Sequence, residues 1–130
     1  MSTHSNGLVI IVEDDEYSVE VLGHFLETGD IKYHVCTDTQ EVISALQTYP
    51  EVDAIFVDLE LSEENGYDIL KAIQNRAKWD AVPVVAYTSH TYQKSQARDA
   101  GFHSFLGKPL NSAVFFDQLQ RILNKQQVWD

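Results

Sequence analysis

Three consecutive acids, Glu13, Asp14 and Asp15, follow the apolar run 8–12, and a lone acid, Asp58, follows the apolar run 54–57. Thr88 and Ser89 come straight after residues 83–87, and Lys108 with Pro109 comes shortly after residues 102–106. Brought to one place, such carboxylates repel: at an effective dielectric of about 20, two charges about 4 Å apart cost roughly 4 kcal/mol. A hard divalent cation removes that repulsion, and an all-oxygen donor set suits Mg²⁺, which keeps several of its waters. With the ion in place, one aspartate is a competent nucleophile toward a phosphoryl group. A lysine amine and a threonine hydroxyl are then suited to hold phosphoryl oxygens, the positioning and charge neutralisation that phosphoryl transfer requires. Zinc is disfavoured, because Cys36 is the one cysteine and the histidines (His4, His24, His34, His90, His103) are scattered. Each group also has a plainer reading. Glu13 and Asp14 are acids of a kind favoured at a helix start, Asp58 ends a strand or caps a helix, Thr88 is an ordinary strand residue, and Lys108 lies over apolar neighbours.

The elements that must position these residues alternate. Residues 8–12 are mostly β-branched and read as a buried strand. From Glu16 to about Thr28, Val19, Leu22 and Leu26 fall at helical spacing, with Gly29 as a stop. Residues 33–37 predict a second strand. Asp38 with Glu41 three positions on resembles a capping box, and Val42, Leu46 and Tyr49 form a stripe that Pro50 ends. The unit repeats with a strand over 54–57, a polar loop containing Gly66, and a helical face of Ile69, Leu70, Ile73 and Ala77. A strand over 83–87, a weaker helix over 91–100, a short strand over 102–106 and a final helix carrying Phe115, Leu119 and Ile122 complete the chain. Strands alternating with helices imply right-handed crossovers and a parallel sheet covered on both faces. In such sheets ligands bind beyond the carboxyl ends of the strands, which is where the acids, the hydroxyls and the lysine fall.

Composition narrows the classes. The chain has 130 residues, 44% hydrophobic and 22% charged, which fits one globular domain. No apolar run approaches the length that spans a bilayer, so a cytoplasmic protein is expected. The net charge is −11 and is uneven: residues 1–70 hold 16 acids against Lys32 alone, and residues 71–130 hold 4 acids against 8 bases. Nucleic-acid binding by the acidic half is disfavoured, since that affinity rests on Lys and Arg neutralising phosphates. The excess of carboxylates fits a divalent-cation site or an ordinary solvated acidic surface. Nucleotide binding is disfavoured too: Glu13, Asp14 and Asp15 stand where phosphate-cradling folds place Gly, Ser and Thr. Cys36 reads as a small buried hydrophobe, and Trp79 and Trp129 as candidate interface anchors.

Four segments, each at a predicted strand end, together resemble the receiver domains of two-component response regulators. They are residues 10–15, Val57-Asp58-Leu59 with Gly66 eight positions beyond Asp58, residues 86–90, and residues 104–109. The resemblance covers roughly residues 8–125 of a single domain over 1–130. It implies a flavodoxin-like (CheY-like) α/β fold: a doubly wound five-stranded parallel sheet, strand order 2-1-3-4-5, with five helices. It implies that Asp58 accepts a phosphoryl group, in a Mg²⁺-dependent reaction, from a sensor histidine kinase or a histidine phosphotransfer protein. The metal ligands would be Glu13, Asp14, Asp58 and the backbone carbonyl of Glu60, with Glu13 acting through water. Lys108 would contact the phosphate, Thr88 would be the switch hydroxyl, and Phe105 the aromatic switch that turns inward. The Lys108–Pro109 bond is expected to be cis. The implied role is a signalling domain that assists its own phosphorylation and dephosphorylation, not an enzyme with a separate substrate. A downstream protein would bind the face of the fourth helix, fifth strand and fifth helix, the face also implied for a phosphorylation-linked homodimer.

Several residues depart from the family pattern. Ser62 stands where proline is frequent, Asn65 where aspartate is, Phe105 lacks a tyrosine hydroxyl, Ser89 replaces a smaller residue, and Glu60, Glu63 and Glu64 make one loop very acidic. Two other functions compete: a phosphorylation-independent adaptor, and a phosphohydrolase that would need Glu60 as its second acid. In the receiver-like reading Glu60 presents its backbone to the site and not its side chain. With one helix expected after Pro109, output is expected to run through a protein partner, through passing the phosphoryl group onward, or through a further domain.

Overall fold

The computed structural model describes residues 8–76 and 81–130, so the sequence readings of His4, Ala77 and Trp79 lie outside the described residues. Five parallel strands, β1 (Val9–Val12), β2 (Tyr33–Cys36), β3 (Ala54–Asp58), β4 (Val84–Thr88) and β5 (Ser104–Gly107), form one sheet in the order β2-β1-β3-β4-β5. The helices are α1 (Glu16–Thr28), α2 (Thr39–Thr48), α3 (Gly66–Gln74), α4 (Lys94–Ala100) and α5 (Phe115–Leu123). The strand order, and the five α-helices among the described residues, are those expected from the sequence. No helix among the described residues is long and apolar enough to cross a membrane.

Burial on both sheet faces explains why the strands read as unbroken apolar runs. Alternate side chains serve different cores. Ile10, Val12, Ile55, Val57, Ala86 and Phe105 pack with Val42, Leu46, Ile69, Ile73 and Ala97 of α2, α3 and α4. Val9, Ile11, Phe56, Val85, Tyr87 and Leu106 pack with Leu22, Leu26, Phe115, Leu119 and Ile122 of α1 and α5. Cys36 lies wholly in the first core, and burial pushes its thiol up to about 12.

Register decides where the chemistry falls. Val12 pairs with Val57, Asp58 with Tyr87, and Thr88 with Gly107. Four strands therefore end nearly level, and Glu13, Asp58, Thr88 and Lys108 emerge at one edge.

The helix starts show the local chemistry. Asp38 caps α2 by accepting from the Glu41 N–H (2.8 Å), as the sequence predicts, but Glu41 returns its carboxylate to the Thr37 N–H (2.6 Å), one residue earlier than a capping box would. Asp15 caps α1 through both the N–H and the hydroxyl of Ser18, and Asn65 caps α3. The predicted helix over 91–100 divides into a 3-10 turn (Thr91–Gln93) and α4, and no side chain caps either. α5 starts at Phe115 because the preceding turn is held separately by Asn111, whose side chain accepts from the Ala113 N–H.

The chain does not stop packing at α5. Lys125 takes a left-handed conformation (φ 66°), and the Lys125 and Gln126 N–H groups return to the carbonyls of Ile122 and Arg121, a helix-ending motif that normally places glycine at this position. Residues 128–130 then run beside β5, with a parallel bridge between Phe105 and Trp129. A Cβ in the left-handed region costs about 1–2 kcal/mol, part of which glycine's freer unfolded chain returns. Lys125→Gly is therefore expected to stabilise the protein by about 0.5–1 kcal/mol in denaturant unfolding.

Candidate functional site

Glu13, directly after β1, is fully buried, and its carboxylate is the hub of the edge. One oxygen, Oε1, accepts from the Tyr87 hydroxyl (2.8 Å) and the Lys108 amine (2.8 Å). The other, Oε2, accepts from the N–H groups of Asp14 and Asp15, which fixes the loop entering α1. Tyr87 reaches Glu13 from β4, and its ring lies under the Lys108 ammonium at 4.5 Å from the centroid. Sequence reasoning treated Tyr87 only as a strand residue. A tyrosine near the end of a buried strand, next to predicted carboxylates, was the available signal, because a buried phenol needs a partner.

Asp58 is only 3% exposed. Its Oδ1 accepts from the Glu60 N–H (2.9 Å) and stands 3.6 Å from the Lys108 amine. Burial pushes its pKa up to about 7, helped by Glu13, while Glu60 N–H and Lys108 pull the other way. Two buried carboxylates thus share one ammonium. Gly66 sits where it does because a Cβ there would approach the Asp58 carbonyl oxygen to 2.9 Å.

Asp14 lies at the mouth. Both the N–H and the hydroxyl of Ser62 donate to its Oδ2, at 3.0 and 2.6 Å, and hold its pKa below the usual range. A proline at position 62 would have neither donor, so the departure noted in the sequence has a specific structural use. Carboxylate oxygens of Glu13, Asp14 and Asp58 lie within 4.8 Å of one another. Hard oxygen donors at this separation fit a Mg²⁺ ion, with water completing its shell.

The Glu60 side chain corrects the sequence reading. It faces the edge: its carboxylate accepts from the Thr88 hydroxyl, from the Ser89 N–H (3.1 Å) and from the Ser89 hydroxyl (3.3 Å), and its second oxygen pairs with His90 Nδ1 (2.7 Å). Burial works against this carboxylate, but those hydrogen bonds and His90 outweigh it and hold its pKa low. The polar residues Thr88, Ser89 and His90 at the end of β4 give Glu60 a reason to turn inward. Thr88 itself is fully buried and also accepts from the His90 N–H (3.0 Å).

Phe105 is fully buried with the core of α2, α3 and α4. Its ring already lies inside, and residues 128–130 run beside the β5 backbone. The Lys108–Pro109 peptide is cis. Glu13, Asp14, Asp58, Glu60, Thr88 and Lys108 converge, while Phe105 lies beneath the edge in the adjoining core.

Residues 9–120 match the family model of the response regulator receiver domain. The chain belongs to that family. This receiver domain is 24% identical to hybrid signal transduction histidine kinase L of Dictyostelium discoideum, over 92% of its own length but 7% of that protein. It is 29% identical to the alginate biosynthesis transcriptional regulatory protein AlgB of Pseudomonas syringae, over 96% of its length and 27% of the relative's. Against stress response regulator protein 1 of Meyerozyma guilliermondii the identity is 24%, covering 90% and 56%. The receiver domain therefore spans only part of each of these relatives. Among solved structures, the chemotaxis response regulator CheY4 of Vibrio cholerae superposes with a TM-score of 0.79 at 22% identity, covering 89% of this chain and 98% of that one. The receiver domain of sensor histidine kinase PA1611 of Pseudomonas aeruginosa, which carries a magnesium ion in its active-site cleft, gives 0.80 at 23%, covering 91% and 98%. These two likenesses show a shared fold.

The raised pKa of Asp58 has a testable sign. Its folded-state pKa of about 7 lies above the ordinary carboxylate value of 3.8. The stability tied to its neutral form is whole below pH 3.8 and is lost as pH rises through about 7. Asp58→Asn, which stays neutral, is expected to gain on the parent by about 1–2 kcal/mol between pH 4 and pH 8, after allowance for screening. Denaturant unfolding across that range in metal-free buffer checks it, and a gap independent of pH contradicts it.

Proposed function

We propose that Asp58 is the phosphoacceptor of this receiver domain. The observation that carries the reading is a buried Asp58 carboxylate 3.6 Å from the Lys108 amine and grouped with Glu13 and Asp14 within 4.8 Å. The phosphodonor is a phosphohistidine on a sensor histidine kinase or histidine phosphotransfer protein. An Asp58 oxygen forms the new O–P bond, the histidine N–P bond breaks, and the imidazole leaves with a proton. Glu13, Asp14, Asp58 and the Glu60 carbonyl would hold Mg²⁺, whose chemistry is to neutralise the carboxylates and the phosphoryl oxygens.

The chain's own residues do the rest. Lys108 is poised by Glu13 and Tyr87 to give its charge to a phosphoryl oxygen. Thr88 must leave the Glu60 carboxylate before its hydroxyl can reach that phosphoryl group, so loading the site and moving Thr88 are one event. A bound group shifts a conformational equilibrium only by its different interactions with the two states, and exchange of Glu60 for phosphoryl at Thr88 is such a difference. The domain, taken as one unit over residues 1–130, thereby assists its own phosphorylation and dephosphorylation and signals to a downstream protein through the α4–β5–α5 face.

A phosphohydrolase would need a second group that gives a proton to a leaving alcohol. Glu60 faces the site but is held ionised by Thr88, Ser89 and His90, so it is unsuited to that step. A phosphorylation-independent adaptor leaves the grouping of Glu13, Asp58 and Lys108 without purpose.

Incubation with acetyl phosphate and Mg²⁺ is expected to add one phosphoryl group, read by intact mass. The addition should vanish in Asp58→Ala or with chelator present, and Lys108→Ala should slow it by at least about tenfold. An unchanged addition in Asp58→Ala refutes the assignment.

A further inference from the structure

The three grouped carboxylates differ in how many of their lone pairs are already taken. Glu13 has two donors on each oxygen: the Tyr87 hydroxyl and the Lys108 amine on Oε1, and the N–H groups of Asp14 and Asp15 on Oε2. A carboxylate offers about four lone-pair sites, so Glu13 has none to spare and acts on a cation by its charge or through water. Asp58 has Oδ1 committed to the Glu60 N–H and the nearby Lys108 amine. Asp14 has Oδ2 committed to Ser62, whose N–H and hydroxyl donate at 3.0 and 2.6 Å. Among the described residues, that leaves Asp58 its Oδ2 and Asp14 its Oδ1.

At Asp14 a single residue imposes the restriction. Asp14 and Ser62 are both exposed, and a hydrogen bond between exposed groups competes with water for little net gain. Ser62, however, does not depend on Asp14 for its place. Two residues before it, the Glu60 carboxylate is fastened to the Ser89 N–H (3.1 Å) and to His90 Nδ1 (2.7 Å). Two residues after it, the Glu64 carboxylate accepts from the N–H (3.1 Å) and the hydroxyl of Thr39, at the start of α2. Alternate side chains of the loop therefore pin it to two other elements. Ser62 meets Asp14 already ordered, and little conformational freedom remains to be lost when the two bonds form. Both bonds favour the charged form of Asp14 and lower its pKa.

One oxygen per carboxylate suits some cations better than others. Mg²⁺ demands a near-octahedral shell at about 2.0–2.1 Å and keeps several waters, so single oxygens from one or two carboxylates satisfy it. Ca²⁺ gathers about six to eight oxygens at about 2.3–2.6 Å and readily takes both oxygens of one carboxylate. At Asp14 the second mode is obstructed, because a bond from Ser62 to Oδ2 must break first.

We propose that Ser62 sets the cation preference of the acidic site: it holds Asp14 as a one-oxygen donor and so favours Mg²⁺ over Ca²⁺. Ser62 acts through Asp14 and is a positioning residue, an outer partner that orients a metal ligand. The proposal rests on the reading that Asp14 and Asp58 hold a divalent cation; it does not require Asp58 to be phosphorylated.

The test titrates the full chain with magnesium chloride and, separately, calcium chloride at constant ionic strength. Dissociation constants are read from the NMR shifts of the Asp14, Asp15 and Glu60 amides. The quantity compared is the Ca²⁺ to Mg²⁺ ratio of dissociation constants within each protein, which a general loss of stability does not move. In the parent this ratio is expected to exceed one. Ser62→Ala keeps the N–H but frees a lone pair on Oδ2, and it replaces an exposed loop side chain that neither core uses. It should lower the ratio at least about fivefold; losing an outer partner of a metal ligand typically costs about 10–100-fold in affinity, and here one donor remains. Ser62→Thr, which restores the hydroxyl, should bring the ratio back to within about twofold of the parent. A parent that prefers Ca²⁺, or a ratio that Ser62→Ala leaves unchanged, overturns the role of Ser62. A loss in Ser62→Ala that Ser62→Thr does not restore overturns it as well. A parent that binds neither ion overturns the cation reading and the proposal together, and the parent titration alone separates that failure from the others.

Discussion

Two carboxylates, Glu13 and Asp58, are buried at the end of the sheet with the single Lys108 ammonium between them, and this uneven charge sharing governs the rest of the edge. Burial of an ion is tolerable only where hydrogen bonds and opposite charge replace water. Glu13 receives both in full: Tyr87, Lys108 and two backbone N–H groups. Asp58 receives less, one N–H and a more distant ammonium, so burial, helped by the neighbouring Glu13, prevails and raises its pKa. The better-served carboxylate thus acts as scaffold, and the poorly served one is held above the usual carboxylate range by its burial. A cation entering beside Asp14 would supply what Asp58 lacks.

The sheet makes this arrangement unavoidable for the sequence. Parallel strands in register end together, so residues far apart in the chain arrive at one place without any local motif joining them. That is why much of the fold, and the meeting of Glu13, Asp14, Asp58 and Lys108 at one edge, were legible beforehand. Strands buried on both faces show as continuous apolar runs, and the residue after each run is fixed by the register. The helices were legible where an apolar stripe is strong, as at Leu22 and Leu26 or Phe115 and Leu119.

What escaped the sequence has physical reasons as well. The direction of a loop side chain depends on partners from other loops: Glu60 turns inward because Thr88, Ser89 and His90 wait for it, and Ser62 turns to Asp14 for the same reason. The Tyr87 hydroxyl was hidden by its strand context. The segment beside β5 was invisible because Val128 and Trp129 are two apolar residues among polar ones, too few to show a period.

Glu60 sets a resting condition on the whole edge. Its carboxylate already occupies the Thr88 hydroxyl and the Ser89 N–H, the donors best placed to meet an added phosphate. With Asp58 as the proposed phosphoacceptor, Glu60 is an anionic placeholder, and loading the site would trade one anion for another and not fill a void. On that reading, background output in the absence of signal would be set by how closely a carboxylate imitates a phosphate.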